Sequence, residues 1–482
     1  MGKPTQDDWK KILVEYDRLL REGQGDHLRQ KLTKIRLSTV PRPLLAEFAR
    51  LFRRSNLWEQ SLNVLKPIVY PKVKGGDSAT PSERVEYVMA LRRAGAFQEG
   101  FRILKHASLK ENVRADLARA QLHMVQWDYE WALPLLTSVI TRLDPTDYET
   151  QVARVNRLAC MSFVGDAHFG NEYADLQRLL RESSSFLLLA NVEEIAAHRL
   201  ISDGDFDDAF ARLKSAARLI QDDGGPYIGL IEKWMNIGKA VKKKSVKDLL
   251  DYRAFALKRA DWETLRHLDF FVTRLQPDSI WADRVYYGTP YASFRAKLEG
   301  LRSFSDTGWI CHSETSSLEF DPWFPGRDEG EYLHRLLVLL LNDWYRPLSM
   351  GGLFDGLYPG EHFDLGHSAL RIRQHLLRLK KWLGKYQVPL RLFQAQGQYG
   401  LRTLVKAKIV CRKRSLSMDK SGFFFGRYVG QVKEDQDSAD WQKLLGLTNR
   451  QTLYLLNQGI SDGWISKVQN GRYANYRLTP PG

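Results

Sequence analysis

The sequence predicts a mainly α-helical chain: a long run of stacked helical hairpins, then two small modules in which helices are closed by β-hairpins. Three observations predict it. Apolar residues recur at three- and four-residue steps up to about residue 275. A short aromatic signature returns along that stretch. The last third twice shows the order helix, turn, helix, hairpin.

A chain of 482 residues exceeds one compact domain, and about two to four are expected. With 43% hydrophobic and 11% aromatic residues there is material for buried cores rather than a disordered chain. The expected boundaries are a helical-repeat array over 1–300, a first module over 301–404, a basic linker over 405–433 and a second module over 434–482.

The repeat signature is an aromatic after a polar turn, with a small residue three positions on. It appears as Trp58 with Ser61, Phe97 with Gly100, Tyr129 with Ala132 and Phe206 with Ala209. Tyr173 is followed by Leu176 instead, and Trp262 with Leu265 is a weaker copy. The aromatic spacings are 39, 32, 44, 33 and 56 residues. An aromatic fills the gap where one helix turns into the next, and a small residue lets the paired helix approach. Each hairpin then leaves an apolar face that only its neighbour covers. The pattern resembles tetratricopeptide repeats, whose period is about 34; a generic α-solenoid fits the irregular spacing equally. Pro71 to Pro81 reads as a loop within the array, Lys242 to Ser245 as a polar break, and Pro277 to Phe304 as a transition segment turning at Gly288 to Pro290.

The net charge of +15 is concentrated. From Gly366 to Lys433 there are sixteen Lys or Arg and one acid, Asp419. The other 414 residues carry 56 basic and 56 acidic groups, so this segment holds the whole excess. A solvated basic face ordinarily interleaves acids, whereas an acid-free one marks a footprint for a polyanion such as nucleic acid.

Within that segment a helix is expected from about His367 to Leu383. Ile372, Leu376, Leu379 and Leu383 make one buried stripe. Arg371, Gln374, Arg378 and Lys381 line the opposite side. Arg can bridge guanine O6 and N7, and Gln adenine N6 and N7, so this face suits the major groove. Arg373, Lys380 and Lys385 are placed for phosphates. Ala369 to Leu383 (ALRIRQHLLRLKKWL) resembles the recognition helix of OmpR/PhoB-type winged-helix domains, with His375, Arg378, Leu379, Lys380 and Leu383 on that family's pattern. Leu390 to Leu401 (LRLFQAQGQYGL) resembles its wing, with Gly397 and Tyr399 near the expected positions. The resemblance covers about residues 308–402. It implies that Arg371, Gln374 and Arg378 face bases, and that Gln396, Gln398 and Arg402 sit at the backbone or minor groove. His375 is assigned to the DNA contacts, with packing or a phosphate contact favoured over base reading. Gln396 stands where the family's wing carries an Arg.

The second module reads as a helix over Ser438 to Leu445, a helix opened by a Thr-x-x-Gln capping box at Thr448 to Gln451, and a hairpin turning at Asn470-Gly471. It resembles a generic bacterial winged helix, which implies Arg450, Gln451 and Tyr454 on its second helix and Lys467 and Arg472 on its wing as DNA contacts. Protein docking remains open for this module. The run from Lys406 to Arg414 is read as a phosphate-tracking arm or a solvated linker.

No phosphate-binding loop, zincin motif or nucleophile elbow is present, so no catalytic or metal residue and no cofactor is assigned. Cys160, Cys311 and Cys411 are odd in number and scattered, which argues for a reducing compartment. The strongest apolar run, Leu336 to Leu341, is six residues against the roughly 20 of a spanning helix. No signal-like segment opens the chain. The expectation is a cytoplasmic transcriptional regulator that binds double-stranded DNA without a membrane. Its array would bind a protein or peptide partner or self-associate as a homodimer, and is the candidate sensor if binding is regulated. The alternative is an interaction scaffold tethered to DNA without sequence preference.

Overall fold

The computed structural model describes residues 5–21, 24–71, 79–145, 147–220, 225–311, 318–320, 331–404, 407–412, 425, 432, 435–445, 449–461, 463–470 and 473–479. The chain is mainly α-helical with small sheets. It divides into two compact units. The first holds residues 1–275, 349–355 and 360–370, and the second 276–348, 356–359 and 371–482. No described helix is long and apolar enough to cross a membrane.

In the first unit, helices run in sequence as α1 (Gln6–Arg21), α2 (Gly25–Leu32), α3 (Arg42–Arg54), α4 (Trp58–Val69), α5 (Pro81–Ala94), α6 (Phe97–Leu104), α7 (Val113–Val125), α8 (Tyr129–Ile140), α9 (Tyr148–Val164), α10 (Phe169–Glu182), α11 (Phe186–Asp203), α12 (Phe206–Leu219), α13 (Gly225–Lys242), α14 (Val246–Lys258) and α15 (Trp262–Leu275). From α3 onward, neighbours pair as hairpins. Trp58, Phe97, Tyr129 and Phe206 are each the first residue of a hairpin's second helix. In the α9–α10 hairpin that place belongs to Phe169 rather than Tyr173, which lies one turn inside. The small partners Ser61, Ala132 and Ala209 are fully buried. A methyl added at Gly100 would meet Leu122 of the next hairpin at 3.1 Å, so the small side chain there sets repeat-to-repeat spacing. The turns share a backbone device. Asn56, Gly95, Trp127, Gly165, Gly204 and Lys244 have positive φ at the end of the first helix. Only three of these six are glycine, although left-handed backbone disfavours other residues. Most of the loop expected at Pro71 to Pro81 lies outside the described residues; Thr80 closes it as a capping box with Glu83. The break at Lys242 to Ser245 is the α13–α14 turn, with the Ser245 side chain capping α14.

In the second unit come α16 (Ile280–Tyr287), α17 (Ala292–Glu299), β1 (Thr307–Cys311), β2 (Leu318–Phe320), α18 (Glu331–Asn342), β3 (Leu348–Ser349), α19 (Met350–Leu357), α20 (His367–Lys385), β4 (Leu390–Ala395), β5 (Gln398–Thr403), β6 (Ala407–Arg412), α21 (Ser438–Leu445), α22 (Asn449–Ser461), β7 (Ile465–Asn470) and β8 (Tyr473–Leu478). Strand β3 and helices α19 and α20 divide their residues between the two units. The sheets are ordered β1-β6-β2, β3-β5-β4 and β7-β8.

Three expectations change here. The unit boundary falls at Gln276, not 300, because Pro277 to Phe304 is no loose transition: it folds as α16 and α17, with Tyr287 against Gly308 and the Arg284 guanidinium donating to the Cys311 carbonyl at 3.2 Å. The basic linker over 405–433 contains β6, the central strand of a sheet, antiparallel to β1 and parallel to β2. Ala407, Ile409 and Cys411 are buried in alternation, which excludes a flexible arm across 407–412. Phe425, in the same stretch, is fully buried. It joins Trp441, Leu445, Leu455, Leu456, Ile465 and Tyr476 in a core that also takes Val338 of α18. The last module therefore shares its core with α18 instead of standing alone. All three cysteines are buried free thiols.

Candidate nucleic-acid interface

Helix α20 buries its apolar stripe as its periodicity requires. Ile372 and Leu379 are fully enclosed, and Leu376 and Leu383 nearly so. The opposite face is exposed and carries Arg373, Gln374, Leu377, Arg378, Lys381 and Lys385, with Lys380 exposed beside it. Arg373, Gln374, Arg378, Lys380 and Lys381 make no ion pair or hydrogen bond with a described side chain. Acids are absent from the helix itself. Cations held together without counter-charges repel one another, and an approaching polyanion relieves that repulsion.

Arg371, expected on this face, is placed elsewhere. Arg371 is half-buried, its guanidinium 3.6 Å from the centre of the Tyr358 ring. It neighbours Ile372 on the edge of the buried stripe, so the aromatic draws it from the outward face. His375 is buried, and its Nε2 pairs with the Tyr358 hydroxyl at 2.5 Å. Burial, and then the charges of Arg378 and Arg371, hold the imidazole below its ordinary value. His375, assigned to the DNA contacts, is instead held in packing against Tyr358. Arg373, expected only at phosphates, is exposed on the outward face. Leu377, 60% exposed there, was not anticipated. An apolar side chain amid Arg and Gln is suited to a thymine methyl.

Strands β4 and β5 pair from Leu390 with Thr403 to Ala395 with Gln398, leaving Gln396 and Gly397 as a two-residue turn. Both have positive φ, 50° and 75°, the geometry that matches strand twist. Gln396 is exposed at the tip, and Gln398 is partly covered. The hairpin also places Arg391 directly opposite Arg402. Like charges in that register destabilise a bare hairpin. The Phe393 ring lies over Gly400 and carries the Arg402 guanidinium at 4.4 Å. Arg391 was missed from sequence; its place opposite Arg402 follows only from the register. Because Gln396 is a non-glycine residue in left-handed backbone, Gln396→Gly is expected to raise stability by about 1 kcal/mol, read as a higher denaturant midpoint. A lower midpoint would show that the Gln396 side chain itself holds the turn.

In the last module Tyr454 is 53% exposed and Lys467 is exposed. Arg450 and Gln451 lie on α22, but their side chains fall outside the described residues, as do Thr448 of the expected capping box, Gly471 of the turn and Arg472. The side chains of Asn470 and Arg412, and the residues Lys406, Lys413 and Arg414, likewise fall outside them. Among the described residues, no cluster of three or more His, Cys, Asp or Glu is arranged to hold a metal. No protein-family model, curated protein or solved structure matches this chain.

Proposed function

We propose that this chain is a non-enzymatic, sequence-specific binder of double-stranded DNA that regulates transcription, built as an α-solenoid followed by two winged-helix modules. The observation that carries the reading is the outward face of α20: Arg373, Gln374, Arg378 and Lys381 exposed, acid-free and backed by a buried stripe. The order α18, β3, α19, α20, β4, β5, with its sheet ordered β3-β5-β4, supports a winged helix of the OmpR/PhoB type around it. On this reading Gln374 and Arg378 meet base edges, joined by Arg373, and Lys380, Lys385, Arg391 and Arg402 meet phosphates. The solenoid then binds a protein or peptide partner or a second copy of the chain, in a cytoplasmic setting.

Salt dependence tests the division of labour. Lys385→Ala and Arg391→Ala are each expected to weaken binding to all duplexes alike, and to lower the slope of log affinity against log salt by about one. Titration of one preferred and one scrambled duplex across a salt series reads both effects. Unchanged slopes would remove these residues from the phosphate contacts. Leu377 favours a second reading, in which this face docks an acidic protein surface. Retention of an acidic protein with no duplex bound would select it.

A further inference from the structure

The first unit contains, besides the helical hairpins, the residues that lead into α20, and these are held by buried carboxylates. Asp355, 6% exposed, accepts the backbone N–H groups of Gln98 at 2.5 Å and Glu99 at 3.1 Å. It thereby supplies to α6 the acceptor that a helix N-terminus lacks. Glu99, in that first turn, is 1% exposed and returns the arrangement: its carboxylate accepts the Phe363 N–H at 2.7 Å. Two carboxylates from segments more than 250 residues apart thus each accept backbone N–H groups of the other's segment.

The same device continues to the start of α20. Asp364 accepts the N–H groups of Gly366 and His367, both at 2.9 Å, and so caps α20. Lys66 of α4 holds that carboxylate at 2.9 Å, and together with the His367 and Gly366 N–H groups it keeps the acid near 2. Arg102 of α6 donates to the Glu361 carbonyl at 2.8 Å, and the Tyr70 and His362 rings stack at 3.6 Å. Ser349 donates to the Ala94 carbonyl, and a methyl on Gly351 would fall 2.3 Å from that oxygen. None of these contacts uses a residue assigned above to DNA.

We propose that Glu99 and Asp355 are positioning residues for DNA recognition: the repeat hairpin α5–α6 holds the segment that caps α20, so the state of that hairpin governs how firmly the helix start is held. The proposal rests on α20 being the recognition helix. It gives the array a route to DNA affinity that needs no contact between array and DNA. The buried Asp355 carboxylate, which accepts two N–H groups, is costly to lose, since its donors then stay without a partner.

The test uses the full-length protein. Asp355→Ala is expected to speed amide hydrogen exchange over residues 361–376 by about tenfold, with α9 to α15 unchanged. Asp355→Asn keeps one acceptor oxygen and is expected to restore part of the protection. Should Asp355→Ala fail to fold by circular dichroism, Lys66→Ala reads the same segment through an accessible pair, with a smaller rise expected over 361–370. On DNA, Asp355→Ala is expected to lower the ratio of preferred to random affinity by about tenfold at an unchanged salt slope. Wild-type exchange over 361–376 in Asp355→Ala and Glu99→Ala would overturn the proposal. So would faster exchange with the affinity ratio intact. A wild-type protein that does not discriminate sequences would refute the DNA reading instead, and the exchange result would still decide whether these carboxylates position α20.

Discussion

On the proposed reading, Arg378→Ala is expected to lower affinity for the preferred duplex by about tenfold, and far less for random DNA. A bidentate arginine–guanine pair contributes about 1–3 kcal/mol of discrimination, and about 1.4 kcal/mol is a factor of ten. Arg378 is exposed, one turn from Gln374, with no carboxylate partner among the described residues, so its removal leaves no buried group stranded. The fold should be untouched. One secondary effect follows from its position: its charge helps hold the His375 imidazole low, so the substitution should move His375 toward its ordinary value. Titration of preferred and scrambled duplexes at one salt concentration checks the main effect. Equal losses on both would make Arg378 a phosphate contact.

Trp441→Ala is expected to cost about 3–5 kcal/mol, the range for deleting a buried aromatic. Trp441 is fully buried, edge-on to Phe425 at 5.3 Å, and its indole N–H donates to the Tyr476 carbonyl at 3.3 Å. Val338 of α18 belongs to the same core, so the loss should not stay within the last module. The second unit should melt with one lowered midpoint, and α18 amides should lose protection together with α21 and α22. Independent melting of 435–479, with α18 protected as before, would contradict a shared core.

These expectations follow different levels of the fold, and the levels were not equally legible. The stripe of α20 was readable because helical periodicity is local: Ile372, Leu376, Leu379 and Leu383 announce their face without any neighbour. Arg371 was not, because its direction is set by Tyr358, thirteen positions earlier in the chain and brought close only by folding. The hairpin turns were readable where glycine marks them, at Gly95 and Gly204. They were hidden at Trp127 and Lys244, residues that do not favour the left-handed backbone they adopt. Strand β6 was obscured by its own charge. Ala407, Ile409 and Cys411 alternate as a strand should, but Lys408 and Arg412 drew the segment toward a solvated arm. The pairing of Asp355 with α6 left no signal in sequence, since capping by a distant carboxylate has neither period nor spacing.

On the proposed function, α20 reads sequence. That is tested most directly by incubating the full-length protein with sheared genomic DNA near physiological salt and sequencing what is retained. A small number of discrete sites that share a motif is expected, with Arg378→Ala recovering those sites poorly. Uniform recovery across the genome, or no recovery, would contradict that reading.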